Sequence, residues 1–241
     1  MKKLLTSLIA ILIISANADA QFFTKKVKGN GDIITKTRTV SNYEKIGIAG
    51  AFDVKLFKGN EGEITVKADE NLMEYIITEV KDGDLKIKTK KGYNIKGTKT
   101  ILITVPFDDI SAVSLAGSGD VYSDDVIDTK NLKLSLAGSG DFNLAVSTKN
   151  LSSSIAGSGD ITLKGDSDEF TCSIAGSGNI NAYDLTAKVA TAKIAGSGNV
   201  KVHAIEEIQA KSAGSGNIYY KGNPSVEKTT SVGSGSIINK N

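Results

Sequence analysis

The tripeptide Gly-Ser-Gly occurs seven times from the middle of this chain onward, with its first glycine at Gly117, Gly138, Gly157, Gly176, Gly196, Gly214 and Gly233. The steps between copies are 21, 19, 19, 20, 18 and 19 residues. A motif that returns at a nearly fixed interval means that one short unit is built repeatedly, and a unit of about twenty residues is the length of one solenoid coil. Degenerate copies precede the regular ones. "AGAFDV" at Ala49–Val54 keeps the Ala-Gly-x-x-Asp-Val frame of Ala116–Val121, and "GNGDI" at Gly29–Ile33 stands 21 residues before Gly50, so the coils are expected to begin close to the N-terminal side of Gly29.

The side-chain period decides between helix and strand. Counted from the first glycine of each motif, position minus two holds Leu115, Leu136, Ile155, Ile174, Ile194, Ser212 and Ser231, and position plus four holds Val121, Phe142, Ile161, Ile180, Val200, Ile218 and Ile237. Both motif glycines share this even parity, whereas the odd positions hold alanine, serine and then Asp120, Asp141, Asp160, Asn179, Asn199, Asn217 and Ser236. Period two is the strand signature, with even positions facing inward. Strands recurring in one direction every twenty residues stack in parallel about 4.8 Å apart, so equivalent residues form ladders. Cys172, at position minus four in line with Val113, Leu134, Ala192 and Ala210, is expected to be a buried, reduced thiol.

Between Gly50 and Gly117 the motif lapses. "EYIITEVKDGDLKIKTK" at Glu74–Lys90 is two alternating runs around Lys81-Asp82-Gly83 and reads as an antiparallel hairpin, while "TILITVP" at Thr100–Pro106 reads as a strand leading into the regular coils. Residues 21–241 are read as one all-β solenoid domain, irregular and strand-rich over 21–110, where it caps the first edge, and regular over 111–241. The C-terminal end has only "IINKN" after the last motif, which leaves that edge open to end-on association between copies of the chain.

Residues 1–20 carry Lys2, Lys3, an apolar run from Leu4 to Ile14 and the Ala18-Asp19-Ala20 pattern, an export signal with cleavage expected after Ala20. The mature chain is then expected to have no membrane span and to be periplasmic, at the cell surface or secreted. Removing Lys2, Lys3 and Asp19 from 29 basic and 27 acidic residues leaves 27 and 26. That near balance, with Arg38 the single arginine, argues against a nucleic-acid partner. One cysteine excludes an internal disulfide framework, so burial and backbone pairing must supply the stability.

The candidate binding surface is the outward motif edge, comprising Ser118, Asp120, Ser139, Asp141, Ser158, Asp160, Ser177, Asn179, Ser197, Asn199, Ser215 and Asn217, together with Tyr219. Tyr220 has inward parity. The change from Asp to Asn up the ladder lowers its like-charge repulsion, which favours a turn-capping ladder over the rival reading of Asp120, Asp141 and Asp160 as a calcium site. No catalytic, cofactor-binding or metal residues are assigned. The sole histidine, His203, has outward parity and no nucleophile beside it, and Asp124, Asp125 and Asp128 read as a solvated corner rather than a carboxylate pair. A flat hydroxyl face could order water in the manner of an ice binder, but the ladder lacks threonine methyls.

"NYEKIGIAGAFDVKLFKG", the hairpin around Asp82-Gly83, "ILITVP" and the serial "GSGDI/GSGNI" motifs together resemble the putative auto-transporter adhesin, head GIN domain family of exported bacterial proteins, over Val40 to the C-terminus. The resemblance implies a right-handed parallel β-helix and an adhesin-like role at the envelope, typical of Bacteroidetes, with no catalytic residues to carry over and no cofactor. The function expected is that of a non-catalytic adhesin-like scaffold meeting an envelope or extracellular polymer or protein. Its alternatives are a structural spacer or head of a larger assembly and, behind these, a polysaccharide-active β-helix enzyme.

Overall fold

The computed structural model describes residues 24–241, so the expected export signal lies outside the described residues. Strand accounts for 71% of the described residues and helix for 3%, as period two requires. The repeat region consists of β10 (Ala112–Gly117), β11 (Val121–Gly138), β12 (Phe142–Gly157), β13 (Ile161–Gly176), β14 (Ile180–Gly196) and β15 (Val200–Gly214), each parallel to the next. β16 (Ile218–Lys221), β17 (Val226–Gly233) and β18 (Ile237–Asn239) complete a β-solenoid of about seven turns. The register aligns equivalent repeat positions. Leu115 lies on Leu136, which lies on Ile155, Ile174 and Ile194 in turn, and Ser212 and Ser231 continue the column.

Both apolar columns face inward. Val121, Phe142, Ile161, Ile180, Val200 and Ile218 are buried, as are Leu115 to Ile194 in the column before the motif. Each such side chain contributes about 1.5–3 kcal/mol of burial. Phe170 is in register with Ala190, and Cys172 beside it stacks between Ser153 and Ala192. Cys172 is fully buried, at 0% exposure.

The motif glycines serve two purposes, which refines the inward parity assigned to both. The second, for example Gly178, is buried against the wall below, where a Cβ would collide with the carbonyl oxygen of Gly159. The first, Gly176, is half-buried at a corner with φ of +138°, a left-handed conformation that L side chains avoid. Its close approach to Gly157 lets that carbonyl accept the Ser177 and Gly178 N–H groups at 2.9 and 3.2 Å. The turn therefore pairs its own backbone coil to coil.

The first true coil begins at β3 (Lys45–Gly50) and β4 (Asp53–Lys58), with Gly50 under Gly117 and Val54 under Val121, so the "AGAFDV" copy is structural. The "GNGDI" copy is not. It leads into β2 (Ile33–Thr39), which pairs antiparallel with β5 (Glu63–Asp69) outside the coil ladder. The hairpin forms as β6 (Ile76–Lys81) and β7 (Asp84–Thr89), its turn carried by positive φ at Asp82 and Gly83. β7 pairs with β3. Thr100–Pro106 supplies β9 (Leu102–Phe107) beneath β4, and β1 (Lys25–Lys28) pairs with β8 (Tyr93–Lys96). Arg38 clamps this end by donating to the Met73 and Ile76 carbonyls and to Thr78. At the other end β17 pairs with β15 and β18 with β16, every residue of β17 is exposed, and Val232 is 67% exposed.

Candidate binding surfaces

The Asp/Asn ladder is continuous from Asp53 to Ser236, and its side chains face the neighbouring coil. Asp53 Oδ1 accepts the Asp120 N–H at 3.1 Å, Asp120 Oδ1 that of Asp141 at 3.1 Å, and Asp141 Oδ1 that of Asp160 at 2.8 Å. The pattern continues through Asn179, Asn199, Asn217 and Ser236. Where Asn replaces Asp a second bond appears, because Asn179 Nδ2 donates to Asp160 Oδ1 at 2.9 Å and Asn199 Nδ2 to Asn179 Oδ1 at 3.1 Å. In the acidic coils burial, then the charges of Asp53 and Asp141, push the Asp120 carboxyl up, against the bond from the Asp141 N–H. The ladder is thus a backbone-capping device whose outer rim is formed by exposed Ser118, Ser139, Ser158, Ser177, Ser197 and Ser215. Among the described residues no three His, Cys, Asp or Glu side chains converge in a way that could hold a metal ion.

The acidic corner is divided among separate partners: Asp124 pairs with Lys55 at 3.1 Å, and Asp125 Oδ2 accepts the Lys58 N–H at 2.9 Å. His203 is half-buried, with Nδ1 3.4 Å from Thr186 Oγ1. Burial and the neighbouring Lys221 pull its imidazole pKa down.

Two surfaces emerge that the motif edge did not indicate. The alanines preceding each motif, Ala137, Ala156, Ala175, Ala195 and Ala213, are exposed and floor a shallow, mainly apolar groove of about 680 Å³ along one wall, continued by Val232. Their signal in the sequence was an odd, outward position occupied by an apolar residue in every regular coil. The second surface is a basic and aromatic cluster around Tyr219. Lys240 lies over the Tyr219 ring at 5.5 Å, Lys221 lies over the Tyr183 ring at 5.5 Å, and Lys201 is in register with Tyr219. Burial and the proximity of Tyr219 raise the Tyr183 phenol pKa. Tyr220 points inward as its parity required, 5% exposed, and donates to Glu227 at 2.9 Å.

The sequence pattern of the family described as putative auto-transporter adhesin, head GIN domain, matches residues 42–224. The chain belongs to this family. The match ends just before the last coil, β17 and β18. Three similar solved structures extend the likeness to the fold. A putative adhesin from Bacteroides fragilis has a TM-score of 0.84 and 25% identity, covering 89% of this chain and all of its own. A protein named putative lipid binding protein from Parabacteroides distasonis has 0.76 and 31%, covering 90% and 100%. A putative adhesin from Parabacteroides merdae has 0.69 and 26%, also covering 90% and 100%. No curated protein sequence matches the chain. Among the described residues no helix is long and apolar enough to cross a membrane.

Proposed function

We propose that this GIN-domain chain is a non-catalytic, exported binding scaffold of the bacterial cell envelope, in which the coil stack is the rigid part and its outer surface the adhesive one. The observation that carries the reading is the groove over Ala137 to Ala213, an apolar strip kept open to solvent over five consecutive coils, where a purely structural wall would carry polar residues. The adhesin names of two structural neighbours support a surface role, and the lipid-binding name of a third fits an apolar ligand in such a groove. Ser135, Ser154 and Ser173 line the same groove and would supply hydrogen bonds to the ligand.

The test is binding of the mature protein to a glycan panel, to phospholipid vesicles and to cells, beside an Ala175→Glu/Ala195→Glu variant. Both alanines are exposed, so the variant keeps its fold while placing charge in the groove. Saturable binding that the variant weakens supports the reading. Binding to none of the three supports the alternative, a rigid spacer, which is favoured by the commitment of the Asp/Asn ladder to backbone bonds within the stack. The open edge of β17 and β18 is the surface for end-on association of two copies, with light scattering of the mature protein at high concentration as its measure.

A further inference from the structure

The basic and aromatic cluster near the C-terminal end is not required by the repeat. The ladder that passes through Tyr219 carries Lys55, Tyr122, Asn143, Thr162 and Asn181 in earlier coils; Lys55 is paired with Asp124, whereas Lys201, which follows in β15 beside Tyr219 of β16, is in no ion pair among the described residues. Tyr183 is an additional departure. It is the extra residue of a bulge, where Thr162 pairs with Asn181 but Lys164 pairs with Asp184. Its ring nevertheless meets Lys221, two coils further on, so it lies along the solenoid axis across β15.

Lys201, Lys221 and Lys240 take part in none of the five ion pairs among the described residues. Lys221 and Lys240 instead rest on aromatic faces, and His203 lies in register with Lys221. Asp184, which follows Tyr183 in the bulge, is in register with Lys164 of the preceding coil and forms no ion pair with any of the three lysines. Three cations without carboxylate partners, grouped around two partly exposed tyrosine rings, leave an excess of positive charge on a chain that is otherwise almost balanced.

We propose that Tyr183, Lys201, His203, Tyr219, Lys221 and Lys240 form a subsite for an anionic sugar chain, one whose rings bear carboxylate or sulfate groups. This deepens, and rests on, the adhesin-like reading above. A sugar ring presents an apolar face of C–H bonds suited to a tyrosine face, and its acidic substituent matches an ammonium group. On binding, the lysines move from the rings to the anionic groups and free the ring faces for the sugar. Three coil steps from Asn181 through Lys201 and Tyr219 to Ile238 span about 14 Å, the reach of a short oligosaccharide rather than of a point ligand. Nucleic acid fits less well, because the cluster lacks arginine and has no extended phosphate-tracking stripe.

The chain has seven tyrosines and no tryptophan, two of the tyrosines lie in this subsite, and their share of the tyrosine fluorescence is the part that Tyr183→Phe and Tyr219→Ala remove. The mature protein is titrated with an alginate oligosaccharide (carboxylate), a dextran sulfate oligosaccharide (sulfate), neutral dextran of equal length and a single-stranded oligonucleotide of equal charge. The expected result is quenching by one or both anionic sugars, with the preferred one naming the anion, affinity falling as salt is raised, and no response to neutral dextran. Lys201→Gln/Lys221→Gln/Lys240→Gln should lose about tenfold or more and flatten the salt dependence, and Tyr219→Ala should lose about tenfold with the salt dependence retained. The same triple change at Lys25, Lys26 and Lys28 should leave binding unaltered. Three outcomes overturn the proposal: equal affinity in the Lys201/Lys221/Lys240 variant, equal affinity for neutral dextran, or an oligonucleotide that binds as tightly as the sugars. If neither anionic sugar binds but the protein still attaches to cells through the alanine groove, this subsite is refuted while the scaffold reading stands. If nothing binds in either experiment, both fall.

Discussion

Asp120→Asn should stabilise the protein, and the structure indicates by how much. Asp120 lies between Asp53 and Asp141 in a ladder whose rungs are one coil apart. At about 5 Å two carboxylates repel by about 0.8 kcal/mol in water-like dielectric, and by more where solvent is partly excluded, so two neighbours cost about 2 kcal/mol before screening. The replacement also gains a donor. Asn179 shows what that donor does, reaching Asp160 Oδ1 from Nδ2, and an equivalent bond from position 120 to Asp53 adds about 0.5–1 kcal/mol. With screening at physiological salt the net gain is about 2 kcal/mol, or about 4–8 °C in Tm for a chain of this length. The pH dependence has a defined sign. The folded-state pKa of Asp120 is raised, by burial first, so its penalty is present at neutral pH and is relieved as pH falls through that raised value. The advantage of the variant should therefore disappear by about pH 3. A double-mutant cycle isolates the cause. Asp120→Asn and Asp141→Asn each remove their shared repulsion, so the double variant should fall about 1 kcal/mol short of additivity at pH 7 and become additive at pH 3. No rise in Tm, or additivity at both pH values, refutes like-charge repulsion as the reason for the change from Asp to Asn along the ladder.

Gly176→Val and Gly178→Val should each destabilise by about 2 kcal/mol or more, the first through its positive φ and both through collision with the carbonyl of the coil below, whereas exposed Ser177→Ala should stay within about 0.5 kcal/mol; chemical denaturation distinguishes them. Cys172, whose thiol is pushed up to about 12 by burial, should react with a thiol reagent only at the rate of unfolding, and rapid labelling of the native protein would show the placement to be wrong. Ser153→Ala should raise stability by about 1 kcal/mol, since Ser153 Oγ is buried without a hydrogen-bond partner, and an unchanged or lower Tm counts against that. Asp69 is buried; burial resists its ionisation, but bonds from Thr98 and the Gly31 N–H hold its carboxyl below the usual range. Its contribution is therefore present above the ordinary carboxylate pKa and lost as pH falls through the lowered one, and hydrogen exchange should show Asp69→Asn loosening Gly31 and Thr98 before the repeat coils.

The repeat region was legible in the sequence because each of its constraints recurs. Period two gave the wall, the apolar columns at minus two and plus four gave the core, and Asp or Asn at plus three gave the capping ladder as far back as Asp53. The end of that ladder at the N-terminal side was not legible. Gly29–Ile33 copies the motif in letters, but Asp69 occupies the space beside Gly29 and bonds to Gly31, and β2 is drawn into antiparallel pairing with β5. Long-range pairing overrode a local resemblance. The corner role of Gly176 was equally hidden, since parity reports which face a residue shares and not the backbone dihedral it adopts.

The two surfaces proposed for binding follow from the way the repeat uses its polar groups. In the regular coils the hydrogen-bonding atoms that face a neighbouring coil are consumed by it: the motif carbonyls accept two N–H groups and the ladder oxygens accept the next N–H. Recurring polar residues of that kind hold the stack together, so what is left to meet a partner is either a recurring residue that points outward without a stacking role, as the alanines do, or a residue that breaks the pattern, as Tyr183 and Lys201 do. The serine rim lies between these cases, exposed yet part of the turn. In this architecture recurrence marks the scaffold, and departure from recurrence on an exposed ladder marks where selection acted for something other than folding.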